Sequence, residues 1–242
     1  MPVPACDPGP PLDWRQALDP GQVVVFGEMH GTAEAPRFVL AAACTAMRAG
    51  RTVGVAIEWP ASLQPIAGDR AALLESEFLT VERQDGRRSV AMLDLVETVS
   101  RWRAAGAPVE LLFVDPADDA RDAGMATRTR AWLASHPEGV EIVLVGNVHA
   151  RRTRGFRENA DYEPLAFRLA DLGPRLVALD QRYGAGFAWN CQRDGCGPHA
   201  LGRADADLGV RIEWEEAGGT YDGTWWVGTP TASEPAVGGA RR

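Results

Sequence analysis

The chain has 242 residues, a formal net charge of −8 and a pI of about 5.1. This balance argues against a nucleic-acid or anionic-membrane surface, because both need clustered Lys and Arg. Hydrophobic residues make up 45% and charged residues 24%, as in soluble globular proteins with a sizeable core. No apolar run approaches the roughly eighteen residues of a membrane span, so no transmembrane segment is predicted. The expected partner is a small-molecule or haem ligand.

The N-terminus and the cysteines bear on the cellular location. The first residues lack the basic and apolar regions of a signal peptide. We expect a cytoplasmic protein if the chain is full length as given, and a periplasmic or secreted one if a leader has been removed. Cys6, Cys44, Cys191 and Cys196 fit two disulfides of an exported protein and buried thiols of a cytosolic one equally well.

Predicted strands and helices alternate through most of the chain. Short β-branched or apolar runs predict strands at residues 22–27, 52–58, 109–114, 141–146 and 175–180. Helical patterns cover residues 33–48, with Thr32 as the cap, and residues 61–85, 89–105, 118–135 and 164–171. This alternation predicts an α/β fold with a mostly parallel central sheet flanked by helices.

The sequence changes character at residue 184, where short aromatic strands alternate with Gly-rich turns. They predict an antiparallel C-terminal extension. The expected organisation is a Pro-rich segment (1–21), an α/β core (22–183), a β extension with a Cys pair (184–232) and a frayed tail (233–242). Within the extension, Cys191 and Cys196 span a tight loop followed by His199. A disulfide is the favoured interpretation, because a zinc site would have only three local ligands.

Two similar elements carry the candidate chemistry. Residues 23–31 and 142–150 each contain four apolar residues, then Gly-x-x-His, then a small residue. Their histidines, His30 and His149, should follow the carboxyl ends of two strands, where ligands collect in open α/β sheets. Glu28 precedes the first histidine, and Glu58 ends another predicted strand. A parallel sheet brings all four side chains to one edge.

Two imidazoles and two carboxylates at one edge allow two kinds of site. They suit a divalent or transition metal ion, with His30, Glu58 and His149 as ligands. They suit equally a metal-free acid/base pair that acts on a bound water. The structural alternative is that Glu28 caps the following helix and His30 packs under a loop.

Two further charged residues have open roles. Glu34, at the start of a helix, either provides a favourable charge there or orients His30. Arg121 follows the third strand and is suited to hold a substrate carboxylate or phosphate by a bidentate contact. A surface ion pair with Asp122 is the competing interpretation.

The order of these motifs resembles a known family. The motifs are Gly27-Glu28-x-His30-Gly31-Thr32-x-Glu34-x-Pro36, Ile57-Glu58, Arg121-Asp122-x-x-Met125-Ala126 and Gly146-Asn147-x-His149-Ala150. Over about residues 22–182 they resemble the ChaN-like branch of the superfamily that also contains the erythromycin esterases, TraB and Tiki proteins. The resemblance implies an α/β core with paired Gly-x-x-His elements. It also implies functional roles for Glu28, His30, Glu58, Arg121 and His149.

The resemblance implies two functions of different classes. ChaN-like proteins are associated with haem binding and iron uptake, which implies haem held by His30, His149 or a tyrosine (Tyr162 or Tyr183). Tiki proteins are similar to metal-dependent peptidases, and the esterases open macrolide lactones with a histidine-activated water. These imply a hydrolase in which Glu28 and His149 activate water, with or without a metal. The overall likeness favours haem or iron binding, whereas the acid-rich edge favours chemistry, so enzyme status stays open.

Overall fold

The computed structural model describes residues 4–202, 209–215 and 218–238, and its framework is a set of short strands. They are β1 (Val23–Glu28), β2 (Val53–Pro60), β3 (Val109–Asp115), β4 (Val140–Gly146), β5 (Leu176–Arg182), β6 (Gly186–Gln192), β7 (Gly195–Leu201), β8 (Val210–Trp214) and β9 (Gly223–Val227). Seven strands form one sheet in the order β3-β2-β4-β1-β5-β9-β8. Strands β1 to β5 pair in parallel, which confirms the predicted mostly parallel sheet.

The helices connect the strands much as the sequence predicts. They are α1 (Glu34–Arg48), α2 (Arg70–Glu75), α3 (Glu77–Thr80), α4 (Val90–Ala104), α5 (Arg121–Ser135) and α6 (Leu165–Arg168). The helical pattern over residues 61–85 corresponds to several short pieces: a 3₁₀ segment, Ala61–Ile66, which contains Pro65, followed by the separate helices α2 and α3. Proline interrupts helical hydrogen bonding. None of the helices in the described ranges is long and apolar enough to cross a membrane.

Two hydrophobic cores cover the two faces of the sheet. Buried apolar residues of α1 and α4 pack on one face around Phe26, Ile57 and Leu144. Those of α5 and α6 pack on the other face around Val25, Val143 and their neighbours. Alternate strand residues point to opposite faces. Because both faces are covered, the strands are almost continuously apolar.

The C-terminal strands form the expected extension in two parts. Strand β9 joins the main sheet in parallel beside β5, and β8 pairs antiparallel with β9. Strands β6 and β7 form a separate antiparallel hairpin in which Cys191 lies opposite Cys196. Strand β7 has no strand signal in the sequence, because GCGPHAL contains glycine and proline, which are depleted in strands.

All four cysteines are paired. Disulfides join Cys6 to Cys44 and Cys191 to Cys196, so the alternatives of buried thiols and of a zinc site at the second pair are wrong. His199 instead contacts Asp194, with Nε2 at 3.1 Å from Oδ1. The first disulfide fixes the N-terminal segment to α1, and the second closes the β6–β7 hairpin.

Two local expectations are also wrong. Thr32 does not cap α1, whose N-cap is Ala33 without a side-chain cap bond; the Thr32 hydroxyl accepts a bond from Gln181 Nε2 at 3.4 Å. The tail is not frayed over residues 233–238, because Ser233 is buried and its Oγ accepts a bond from the Ala91 N–H at 2.9 Å. Residues 239–242 lie outside the described residues.

Candidate functional site

The carboxylate of Glu58 is the centre of the candidate site. It lies near the end of β2 and is almost fully buried, with 3% of the residue exposed. Its Oε2 accepts a hydrogen bond from the Gly146 N–H at 2.6 Å. Its Oε1 accepts bonds from Arg121 and, at 3.3 Å, from Arg87. Parallel pairing places the ends of β2 and β4 side by side, which is why a strand-end glutamate meets the Gly-x-x-His turn.

His30 lies between two carboxylates. Its Nδ1 is 2.9 Å from Glu28 Oε1, and its Nε2 is 3.6 Å from Glu58 Oε2. Burial alone would lower the pKa of His30, but the charge of Glu58 and the hydrogen bond to Glu28 outweigh it and raise the pKa above its ordinary 6.5. His30 is therefore protonated over a wider pH range than a free histidine.

His149 belongs to a separate hydrogen-bonded group. Its Nδ1 is 2.8 Å from Asp122 Oδ1, which also accepts the Leu165 N–H at 2.7 Å. The Tyr162 hydroxyl donates to Asp122 Oδ2 at 2.9 Å. Burial and the charge of Asp122 raise the pKa of Tyr162 far above its ordinary value, so this hydroxyl stays a donor. Because a carboxylate only accepts, Nδ1 of His149 is the donor in this pair, and its Nε2 lies on the other side of the ring, 3.9 Å from Glu58 Oε1.

Two arginines and a second buried acid complete the charge balance around Glu58. Asp115, the last residue of β3, is 2.6 Å from Arg121 Nη2 and 3.9 Å from Arg87 Nη1. Burial would raise the pKa of Glu58, but the surrounding histidines and arginines outweigh it and lower the pKa to about 2. Glu58 is thus a carboxylate throughout the physiological pH range.

A cleft of about 560 Å³ opens over these groups. It is lined by Glu28, Met29, His30, Arg83, Asp85, Gly86, Arg88, Gly146, Asn147, Val148, His149, Asn190 and Cys191. One wall is the β6–β7 hairpin, which the Trp189 N–H fixes to the Gly31 carbonyl at 2.9 Å. The Trp189 indole N–H also donates to the Gln84 carbonyl at 3.0 Å. The hairpin therefore limits access to the two histidines.

The structure brings together the five predicted functional residues, Glu28, His30, Glu58, Arg121 and His149. His30 does more than pack under a loop, because its ring contacts two carboxylates. Arg121 binds Glu58 and does not form a surface ion pair with Asp122.

Two other predicted residues lie elsewhere. Glu34 accepts bonds from the Thr231 N–H and hydroxyl, at 2.9 and 2.7 Å, so it carries the first-turn charge of α1 rather than orienting His30. Tyr183 packs against the main hydrophobic core and is not part of the cleft lining.

Three contributing residues were not recognised from the sequence. Asp115 carries the same strand-end signal as Glu58 and could have been found by it. The sequence indicates Asp122 only as a partner of its neighbour Arg121, because the pairing with His149 joins residues 27 positions apart. Arg87 lies in a turn after Asp85-Gly86 and has no sequence signal that separates it from a surface arginine.

The geometry does not favour a metal ion held by His30, Glu58 and His149. Glu58 Oε1 already accepts from two guanidinium groups, whose positive charges oppose a bound cation. In the part of the chain that the structure describes, no group of three or more His, Cys, Asp and Glu side chains is arranged to hold a metal.

Neither a known family profile nor a curated protein matches this chain, but solved structures share its fold. A protein from Bacillus cereus superposes with a TM-score of 0.62 at 13% identity, over 95% of this chain and 94% of its own. An erythromycin esterase mutant, EreC in its open conformation, gives 0.58 at 12%, over 92% and 94%. A succinoglycan biosynthesis protein gives 0.60 at 10%, over 96% and 95%.

At these identities the comparisons show the fold alone. The likeness to the erythromycin esterase structure is therefore a likeness of α/β fold. The similarity extends over nearly the whole of each chain. It therefore includes the C-terminal strands as well as the predicted core.

Proposed function

We propose that this protein is a hydrolase of carboxylic esters in which His149 activates a water molecule. The observation that carries the proposal is the pairing of His149 Nδ1 with Asp122 at 2.8 Å, which leaves Nε2 at the cleft as a proton acceptor. A carboxylate that fixes the tautomer and orientation of a histidine is the arrangement used for general-base catalysis. The shared fold with an erythromycin esterase is consistent with this chemistry.

The two histidines take complementary roles in the proposed reaction. Water adds to the ester carbonyl carbon while its proton passes to His149 Nε2. The C–O bond of the tetrahedral intermediate then breaks, and the leaving alkoxide takes a proton from His30, which its two carboxylates keep protonated. The products are a carboxylic acid and an alcohol, and solvent returns the proton from His149 to His30. Glu28 therefore orients His30 rather than activating water itself.

Turnover of small esters and lactones by the purified chain tests the proposal. We expect His149→Ala and Asp122→Asn to lower kcat by about 100-fold or more, since general-base catalysis contributes on the order of 10²–10⁴. The matched control is Asp119→Asn, an exposed acid just before α5, which should leave the rate unchanged. Absence of turnover, or equal turnover in the His149 variant, would contradict a hydrolytic role.

Haem binding is the second candidate, and one observation favours it. His30 and His149 line the same cleft, and each has its Nδ1 held by a carboxylate, an arrangement common for metal-ligating histidines. A haemin titration followed in the Soret region separates the candidates. Saturable binding that is lost in the His30→Ala/His149→Ala double variant supports haem. Binding that is lost in Tyr183→Phe but kept in the double histidine variant would place the haem outside this cleft.

A further inference from the structure

A second cleft, of about 700 Å³, lies apart from the candidate active site and shares no lining residue with it. It is lined by parts of α1, α4, β8, β9 and the N-terminal segment, among them the apolar residues Leu12, Phe38, Leu40 and Trp102. Its volume is in the range of small-molecule sites. Most of its walls are apolar, as such sites usually are.

The N-terminal segment forms one wall of this second cleft without filling it. Residues 4–12 contain no helix or strand, yet the Cys6–Cys44 disulfide joins them to α1, and Arg48 Nη2 donates to the Cys6 carbonyl at 2.9 Å. At Gly9, which has a positive φ of 68°, an added Cβ would lie 3.4 Å from Ala41 Cβ. The wall is therefore held in close contact with α1 by a covalent bond and a hydrogen bond.

The charges around the second cleft leave positive groups available. Its two acids are engaged: Glu34 accepts from Thr231, and Asp7 accepts from the Gly9 N–H at 2.9 Å. Within residues 4–202, 209–215 and 218–238, Arg37 has no ion pair or hydrogen bond, and Arg101 bonds only to Thr98 Oγ1, at 3.0 Å. Both guanidinium groups are exposed and so are free to bind an anion.

We propose that the second cleft binds a small amphipathic carboxylate of the medium-chain fatty-acid type. The hydrocarbon chain lies against Phe38, Leu40 and Trp102, and the removal of its apolar surface from water provides the main favourable free energy. The carboxylate meets Arg37 or Arg101, whose planar guanidinium groups suit a bidentate contact. This site is independent of the proposed hydrolase, because none of its residues contacts the two histidines.

Calorimetric titration of the full chain with decanoate, below its micelle concentration, tests the proposal. We expect one saturable site, with affinity at least tenfold weaker in Arg37→Ala/Arg101→Ala and abolished in Leu40→Trp, which fills the cleft. Decanol and decyltrimethylammonium, which keep the chain but lack the anion, should bind at least tenfold more weakly. Circular dichroism verifies that each variant is folded.

The matched control is Arg83→Ala, which removes an exposed arginine from the candidate active site. Unchanged decanoate affinity in this variant supports the second cleft, whereas a loss of affinity would move the ligand to the other site and overturn the proposal. Absence of binding, equal affinity for decanol, or equal affinity in the double arginine variant would each overturn it too. A parallel ester-hydrolysis assay reports on the proposed function separately.

Discussion

At the scale of single residues, the site depends on one buried carboxylate that several positive groups share. Glu58 would be costly to bury as an isolated charge, but two arginines and a histidine lie close to it. Its pKa of about 2 lies below that of an unfolded chain. The stability this pairing provides is therefore present above the unfolded pKa and is lost as pH falls through about 2.

The pH dependence of the proposed hydrolysis should report on His30. Its pKa is raised above 6.5, so the protonated acid persists to a higher pH and the rate should fall only as pH rises through that raised value. Glu28→Gln removes a negative charge that raises the pKa of His30 and leaves at most a neutral hydrogen bond to Nδ1, so it should move the alkaline limb to lower pH. Glu34→Gln, which does not touch His30, should leave it in place. A pH–rate profile in which Glu28→Gln matches the wild type would contradict the role of His30 as the acid.

A second prediction concerns a buried acid outside the site. Glu141 on β4 is fully buried, and a contact with the Thr129 hydroxyl only partly offsets the effect of that burial. Burial raises the pKa of Glu141 well above its ordinary value, so keeping the group in the core costs stability as pH rises above the unfolded pKa. Glu141→Gln should stabilise the fold by about 1–2 kcal/mol at pH 7.

The stabilisation by Glu141→Gln should be smaller at pH 4, where Glu141 is protonated in the unfolded chain as well. Urea unfolding at the two pH values measures the difference. A variant that is less stable than the wild type at pH 7 would show that an unrecognised partner holds the Glu141 carboxylate in its charged form.

At the scale of elements, three backbone segments meet beside the cleft without room for side chains. Gly31 has a φ of +87° and lies against the Trp189 carbonyl of β6 and against Gly86. This contact fixes the hairpin wall relative to the turn that carries His30. The hydrogen bond from the Trp189 N–H to the Gly31 carbonyl also fixes the distance of the hairpin from the site.

Gly31→Ala should therefore separate the hairpin from the site. Its Cβ would overlap the Trp189 carbonyl, whereas Gly50→Ala, at a similar φ of +81°, meets nothing within 4 Å. Both variants carry the backbone strain of an L-residue at positive φ, but only the first adds a steric clash of about 1–3 kcal/mol. Urea unfolding should show at least that difference between the two variants. Equal losses would indicate that the hairpin does not dock on Gly31.

At the scale of the whole molecule, two disulfides close loops of very different length. Cys6–Cys44 spans a sequence separation of 38, and Cys191–Cys196 a separation of 5. On loop entropy alone, removing the first should cost about 4 kcal/mol and the second about 2 kcal/mol. Denaturant unfolding of the paired Cys→Ser variants measures both. A larger loss at the short hairpin would mean that this disulfide supports native packing beyond its effect on the unfolded chain.

The sequence predicted the part of the site that follows from strand ends. Glu28, His30, Glu58 and His149 each stand at or just past a buried apolar run, and parallel strands bring such positions to one edge whatever their separation in the chain. The predicted sheet and most helices are confirmed for the same reason: apolar periodicity is a local property of the sequence. The failure at Thr32 occurs where a tertiary contact outweighs local propensity, and the helical stretch over residues 61–85 is divided into short pieces, the first of which contains Pro65.

What only the tertiary structure decided is which polar groups pair across the chain. From the sequence, Asp122 can pair with Arg121 or with His149, and Arg87 is indistinguishable from any arginine in a turn. The fold places Asp122 2.8 Å from His149 and Arg87 3.3 Å from Glu58. Hydrogen bonds and ion pairs depend on geometry to within a few tenths of an ångström, and composition and spacing do not contain that information. The sequence by itself therefore determined the sheet edge and its residues, and the packing of helices and hairpin determined their partners.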